Sequence, residues 1–134
     1  MDFTNVDLHL HSTASDGTDS PVEIVEKIRE KGIKTFALTD HDTTRGVKEA
    51  LLACKKANNN RHKLEVIPGV EISTNYDNTE IHVVGLFIDY NDNEFNSFLN
   101  KQLSSRDERN KRVCERFQNI GISITYEDML KTYG

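Results

Sequence analysis

Val6-Asp7-Leu8-His9-Leu10-His11 alternates apolar and polar residues, which restricts it to a short strand with two unlike faces. Val6, Leu8 and Leu10 point to one side, and Asp7, His9 and His11 to the other. Two imidazoles two residues apart on one strand face sit roughly 6–7 Å apart at the backbone. Both can reach one metal ion. The Thr13-Ala14-Ser15-Asp16-Gly17 loop that follows can fold Asp16 back over the strand end as an oxygen donor. On the pair alone, a half-exposed polar face accounts for the pattern as well as a metal site does.

Helix and strand signals alternate downstream. Ser20-Pro21-Val22-Glu23 is a helix start: Ser20 caps free backbone N–H groups, Glu23 reaches back, and Pro21 suits the first helical position. Val22, Ile24, Val25 and Ile28 form an apolar stripe, and Gly32 is the stop. Residues 34–39 form a second strand that ends on Asp40-His41-Asp42. Thr43 or Thr44 starts a helix running to about Ala57. A third strand covers 65–73, with a bulge expected where Pro68-Gly69 interrupts the ladder. After a turn at 76–79, a fourth strand covers 80–88. This order predicts an α/β fold with parallel neighbours. Sites in such folds lie at the carboxyl ends of the strands.

Beyond Asp89 the chain is charged and helical in pattern, from Glu94 to about Ile120. Gly121 breaks it, and Thr125-Tyr126-Glu127-Asp128 caps one more short helix.

The 134 residues are 36% hydrophobic and 29% charged, the profile of a globular chain able to bury one core. No apolar run approaches the roughly 20 residues needed to span a bilayer. Met1-Asp2-Phe3-Thr4-Asn5 lacks the basic start and apolar stretch of a secretory signal, so a cytoplasmic location is expected. Cys54 extends an apolar helical series with Val47 and Leu51, and Cys114 sits beside Val113 and Phe117. Both read as small core residues rather than disulfide partners. The net charge of −5 argues against non-specific attraction to nucleic acid. Cations held by acidic and histidine side chains would still make a site electropositive and suited to an anionic substrate.

His9, His11, His41 and His82 fall on turns or strands predicted to share one end of the sheet, whereas His62, in Asn60-Arg61-His62-Lys63, reads as a surface residue. Glu71 is more telling, because Val70-Glu71-Ile72 sets a carboxylate inside an apolar strand. A buried charge is costly unless paired or bound to a cation. Each of these residues has an ordinary structural account alone. One mixed nitrogen and oxygen site for several metal ions accounts for all of them together.

Asp7-Leu8-His9-Leu10-His11-Ser12 with Ser15-Asp16-Gly17, then Leu38-Thr39-Asp40-His41-Asp42, then Pro68-Gly69-Val70-Glu71-Ile72, then His82-Val83-Val84-Gly85 resembles the polymerase and histidinol phosphatase (PHP) family. Within it, the likeness is greatest to the bacterial branch acting on nucleoside bisphosphates and on 5′ ends of short RNA. The resemblance implies an α/β fold, the N-terminal part of a distorted (β/α)7 barrel. Residues 1–91 would carry the metal-binding motifs, and 92–134 would be the beginning of a helical insertion.

By the same resemblance, His9, His11 and Glu71 bind a first metal, Glu71 bridges to a second that also takes His82, and Asp16 and His41 serve a third. Asp7, Asp40 and Asp42 orient the imidazoles from behind. Arg106 and Arg109 reach a substrate phosphate, although a solvated helix face with internal ion pairs explains them equally well. The implied activity is hydrolysis of phosphate esters, on a nucleotide or short oligonucleotide, by metal-activated water. Two or three divalent ions are implied, manganese first, with zinc, iron(II) or magnesium as alternatives. A hydrolase of the same metal architecture acting on a non-phosphate substrate, and a non-catalytic metal-binding module, stay open. Family members are considerably longer, so the chain is expected to be an N-terminal fragment whose open sheet edge invites self-association.

Overall fold

The computed structural model describes residues 5–58, 63–77 and 79–133. Strand β1 (Val6–Leu10) leads to helix α1 (Pro21–Glu30), strand β2 (Thr35–Leu38), helix α2 (Val47–Ala57) and strands β3 (Glu65–Tyr76) and β4 (Thr79–Leu86). Helices α3 (Asn93–Asn119) and α4 (Tyr126–Tyr133) follow. The sheet order is β1-β2-β3-β4. The two helical crossovers give parallel pairs, β1 with β2 and β2 with β3, and the tight turn gives an antiparallel β3–β4 hairpin. His62, expected at the surface, lies outside the described residues.

Helix α1 starts as its sequence dictates. Ser20 Oγ accepts from the Glu23 N–H, and Glu23 Oε2 accepts from the Ser20 N–H at 2.7 Å. It ends in a Schellman motif, with Ile33 N–H on the Ile28 carbonyl, Gly32 N–H on that of Arg29, and Gly32 at φ 71°. The buried stripe is Ile24, Val25 and Ile28; Val22, expected in it, is exposed.

Helix α2 begins later than expected, with Gly46 at its N-cap. The threonines that should have capped it are engaged elsewhere: Thr43 Oγ1 accepts from Arg45, and Thr44 Oγ1 donates to Asn96 Oδ1.

The expected bulge at Pro68-Gly69 is absent. The parallel register of Thr35 with Glu65 holds through Leu38 with Pro68 and on to the bridge of His41 with Glu71. The Pro68 carbonyl faces the β4 side, where it accepts from Ile88, so its missing N–H faces that side too. The β3–β4 ladder starts only at Gly69, and no donor is lost. The irregularity falls instead between Asp7 and Leu10.

β2 is the centre of the core. Phe36, Ala37 and Leu38 are fully buried, and Phe36 and Leu38 pack with Ile24, Val25 and Ile28 of α1, Ala50 and Cys54 of α2, and Leu64 and Val66. Each large side chain buried there contributes roughly 1.5–3 kcal/mol. Both cysteines are buried and free. β1 and β4 are the sheet edges. Val6 and Leu8 of β1, and Ile81, Val83 and Val84 of β4, are exposed, so only Leu10 of the apolar β1 face packs against the core.

Candidate metal centre

The turn after β1 is built around Asp40. Its carboxylate accepts from Ser12 N–H at 2.7 Å, Ser12 Oγ at 2.8 Å and Ser15 Oγ at 2.7 Å. Asp40 is 1% exposed, and three hydrogen bonds compensate its desolvation. The Gly17 N–H closes the turn on the Ser12 carbonyl. A Cβ at Gly17 would lie 2.3 Å from the His11 carbonyl oxygen, so only glycine permits this approach. The turn returns Asp16 to the strand, with Oδ1 3.0 Å from His11 Nδ1.

The Asp40-His41-Asp42 segment is locked to β3 by backbone bonds. Glu71 N–H donates to the Asp40 carbonyl, and Asp42 N–H donates to the Glu71 carbonyl. Asp42 is fully buried in the left-handed region, at φ 51°. Its Oδ1 accepts from Ser73 N–H at 2.9 Å and its Oδ2 from Arg106 Nη1 at 3.0 Å.

Glu71 is the hub. Its Oε2 lies 2.6 Å from His9 Nε2, 2.9 Å from His11 Nε2 and 3.7 Å from His41 Nε2. Its Oε1 lies 2.9 Å from His82 Nδ1. The rings follow one another from His9 to His11, His41 and His82, with centroids 5.1, 4.5 and 4.8 Å apart. Three overlapping triads result: His9, His11 and Glu71; His11, Asp16 and His41; His41, Glu71 and His82. Within each, the ligating atoms lie within 4.8 Å of one another.

The electrostatics follow from this packing. Burial works to raise the Glu71 pKa, but the His9 hydrogen bond and the nearby His41, His9 and His11 take it below the usual range. For Asp16, burial raises, and His41 and His11 prevail to lower it. Burial lowers His41 against the pull of Glu71 and Asp16, favouring the neutral ring. His82 is raised, first by its bond to Glu80 and then by Glu71.

Four imidazoles and two carboxylates thus bring nitrogen and oxygen donors together within metal-ligating reach. The mixed nitrogen and oxygen donor set fits a divalent first-row ion. His41 Nδ1 is buried without a hydrogen-bond partner among the described residues, while Nε2 faces Asp16 Oδ2 and Glu71 Oε2, each at 3.7 Å.

His9, His11, Asp16, His41, Glu71 and His82 thus lie together. Asp40 and Asp42 lie behind them, but neither touches an imidazole: Asp40 holds the Ser12 and Ser15 hydroxyls, and Asp42 holds Ser73 and Arg106. Asp7, expected to orient an imidazole, accepts from the His9 backbone N–H at 3.3 Å instead. Arg106 and Arg109 line a cleft of about 450 Å³ with Ser73, Glu80 and Arg112. Arg109 Nη1 is 3.9 Å from Glu80 Oε1.

Sequence reasoning missed Glu80, whose position two before His82 on a strand was the available signal. It gave no role to Ser12 and Ser15, which stood in the family motif, and it missed Ser73, a small polar residue that offers no signal. Among the described residues, no helix is long and apolar enough to cross a membrane.

A family model described as the PHP domain matches residues 7–132. A 5′-3′ exoribonuclease of Haemophilus influenzae is 40% identical over 121 residues, 90% of this chain and 42% of that protein. A 3′,5′-nucleoside bisphosphate phosphatase of Chromobacterium violaceum is 31% identical over 129 residues, 96% of this chain and 44% of that one. A solved structure from Bifidobacterium adolescentis, described as a candidate metal-dependent phosphoesterase, superposes with a TM-score of 0.81 at 31% identity. That match covers 94% of this chain and 42% of the other. The chain spans less than half the length of these curated relatives.

Proposed function

We infer the function from the premise that this chain belongs to the PHP-domain family. Its mixed α/β sheet is part of that family's barrel, and the relatives named above are phosphoesterases. We propose that the whole protein is a metal-dependent phosphoesterase and that this chain brings the N-terminal share of its site. The observation that carries the reading is the convergence of His9, His11, His41 and His82 on the single carboxylate of Glu71.

His9, His11 and Glu71 would hold one cation, Glu71 and His82 with His41 a second, and Asp16, His41 and His11 a third. These sets follow the triads that lie within reach of one another. Bound divalent cations supply Lewis acidity toward a phosphoryl group and make water a nucleophile near neutral pH. Glu71 keeps its negative charge between the groups because the surrounding imidazoles favour it. Asp40 and Asp42 hold the His-bearing turns at fixed spacing. Arg106 and Arg109, on the cleft beside the cluster, would receive a substrate phosphate and offset its charge.

The names of the relatives favour a nucleotide or the 5′ end of a short RNA as substrate. The family resemblance favours manganese, with zinc, iron(II) and magnesium as alternatives, and the imidazole-rich donor set suits zinc and iron(II) as well. We place the protein in the cytoplasm, where such substrates arise. Residues 1–91 form the barrel portion, and 92–134, where α3 begins, belong to an insertion.

Elemental analysis of the full-length protein, followed by a panel of phosphomonoesters, bisphosphates, short RNAs and cyclic amides, tests this reading. Turnover of phosphate esters by metal-loaded protein supports it; turnover of the amides alone, or of nothing, overturns it.

A further inference from the structure

His82 differs from the other ligand candidates in how its ring is held. His41 has a side chain only 12% exposed, wedged between the rings of His11 and His82, so packing fixes its orientation. The His82 side chain is 37% exposed, on an edge strand whose neighbours are open to solvent. Packing does not stop this ring from turning over. An imidazole that turns over puts Cδ2 where Nδ1 was and Cε1 where Nε2 was, so a carbon would face Glu71 in place of a nitrogen.

Alternation along β4 puts Glu80 on the same face as His82. The antiparallel register sets Glu80 opposite Asn75 and His82 opposite Ser73, on the face that Glu71 shares. His82 Nδ1 is 2.9 Å from Glu71 Oε1, while Nε2 is 3.3 Å from Glu80 Oε1. An ionised carboxylate only accepts. With the Nε2 hydrogen on Glu80, a cation in the triad of His41, Glu71 and His82 would take the place of the Nδ1 hydrogen that otherwise faces Glu71.

We propose that Glu80 is the positioning residue for His82: it takes the Nε2 hydrogen, and so fixes Nδ1 as the metal-ligating nitrogen. Carboxylates behind metal-bound histidines act in this way, and their loss typically costs about 10–100-fold in metal affinity. Arg109, 3.9 Å from the same Glu80 oxygen, ties this arrangement to α3. The proposal rests on the reading that His82 is a ligand.

Zinc binding to this chain provides the test, with a chromophoric chelator as competitor and the His82 tautomer read by ¹⁵N NMR. In the zinc-loaded wild type, Zn2+ should perturb His82 Nδ1 and leave the hydrogen on Nε2. Glu80→Ala should weaken one zinc-binding step by about 10–100-fold and mix the tautomers, and Glu80→Gln, which keeps an acceptor oxygen, should restore most of both. Glu80→Thr, suited to an exposed strand position, reads the same loss should the alanine variant not fold. An alanine variant with wild-type zinc affinity and an unchanged tautomer overturns the proposal alone. A wild-type His82 that ignores Zn2+ overturns the ligand assignment with it.

Discussion

Arg106 Nη1 lies 3.0 Å from Asp42 Oδ2, joining the long helix α3 to the turn that carries His41. Asp42 is fully buried, whereas Arg106 is about one-third exposed. Removing the guanidinium leaves a buried carboxylate with only the Ser73 N–H. Arg106→Met should therefore cost about 1–3 kcal/mol, and adding Asp42→Asn should recover part of it through coupling of the pair. Urea unfolding of the two single variants and the double variant measures this; a single-variant change below about 0.5 kcal/mol would show that the contact is incidental.

His9→Ala combined with His11→Ala removes two of the three ligands of the first triad. Elemental analysis after loading should show at least one cation lost relative to wild type. Unchanged metal content would refute the assignment of these residues.

Protons and cations compete for the imidazoles. His82 keeps its proton to a higher pH than an ordinary histidine, because Glu80 and then Glu71 favour the charged ring. His41, disfavoured by burial, keeps its proton only to a lower pH. As pH falls through about 6.5, the triad containing His82 should lose cation affinity before the one that joins His11, Asp16 and His41. In the metal-free chain the signs separate. The raised His82 contributes stability present below the ordinary histidine pKa and lost as pH rises through its folded value. The lowered Glu71 contributes stability present above the ordinary glutamate pKa and lost as pH falls through its folded value. Zinc isotherms between pH 5.5 and 8 check the first statement, and a pH-independent affinity contradicts it.

Gly17→Ala places a methyl group against the His11 carbonyl. The turn must open, which costs about 1–3 kcal/mol and moves Asp16 away from His11. Thermal unfolding should report the first effect and zinc stoichiometry the second. A variant with wild-type melting and stoichiometry would mean that the turn is not under this constraint.

β1 and β4 are both sheet edges with exposed apolar side chains. This chain alone should associate through them as its concentration rises. Light scattering that finds a thermally robust monomer at all concentrations argues against open edges.

Much of this was legible in local chemistry. Ser20, Glu23 and Gly32 mark α1 because caps act over a few residues. Glu71 stood out because a carboxylate in an apolar strand demands a partner. The start of α2 was not legible, since Thr44 gives its hydroxyl to Asn96 of α3, fifty-two residues away. The register through Pro68 was equally hidden, because where a missing N–H points depends on which neighbour flanks that side. Glu80 escaped notice because a glutamate on an exposed strand is ordinary until its distance to His82 is known.

Glu71 works through two separate parts of one residue. Its main-chain N–H and carbonyl hold the segment from Asp40 to Asp42, and its side chain meets the histidines. Scaffold and charge are therefore genetically separable: one codon change to glutamine deletes the anion and leaves the backbone brace untouched. A lineage carrying this fold stands a single substitution away from a copy that keeps the brace and lacks the charge. Such a copy is also the cleanest control a laboratory could make.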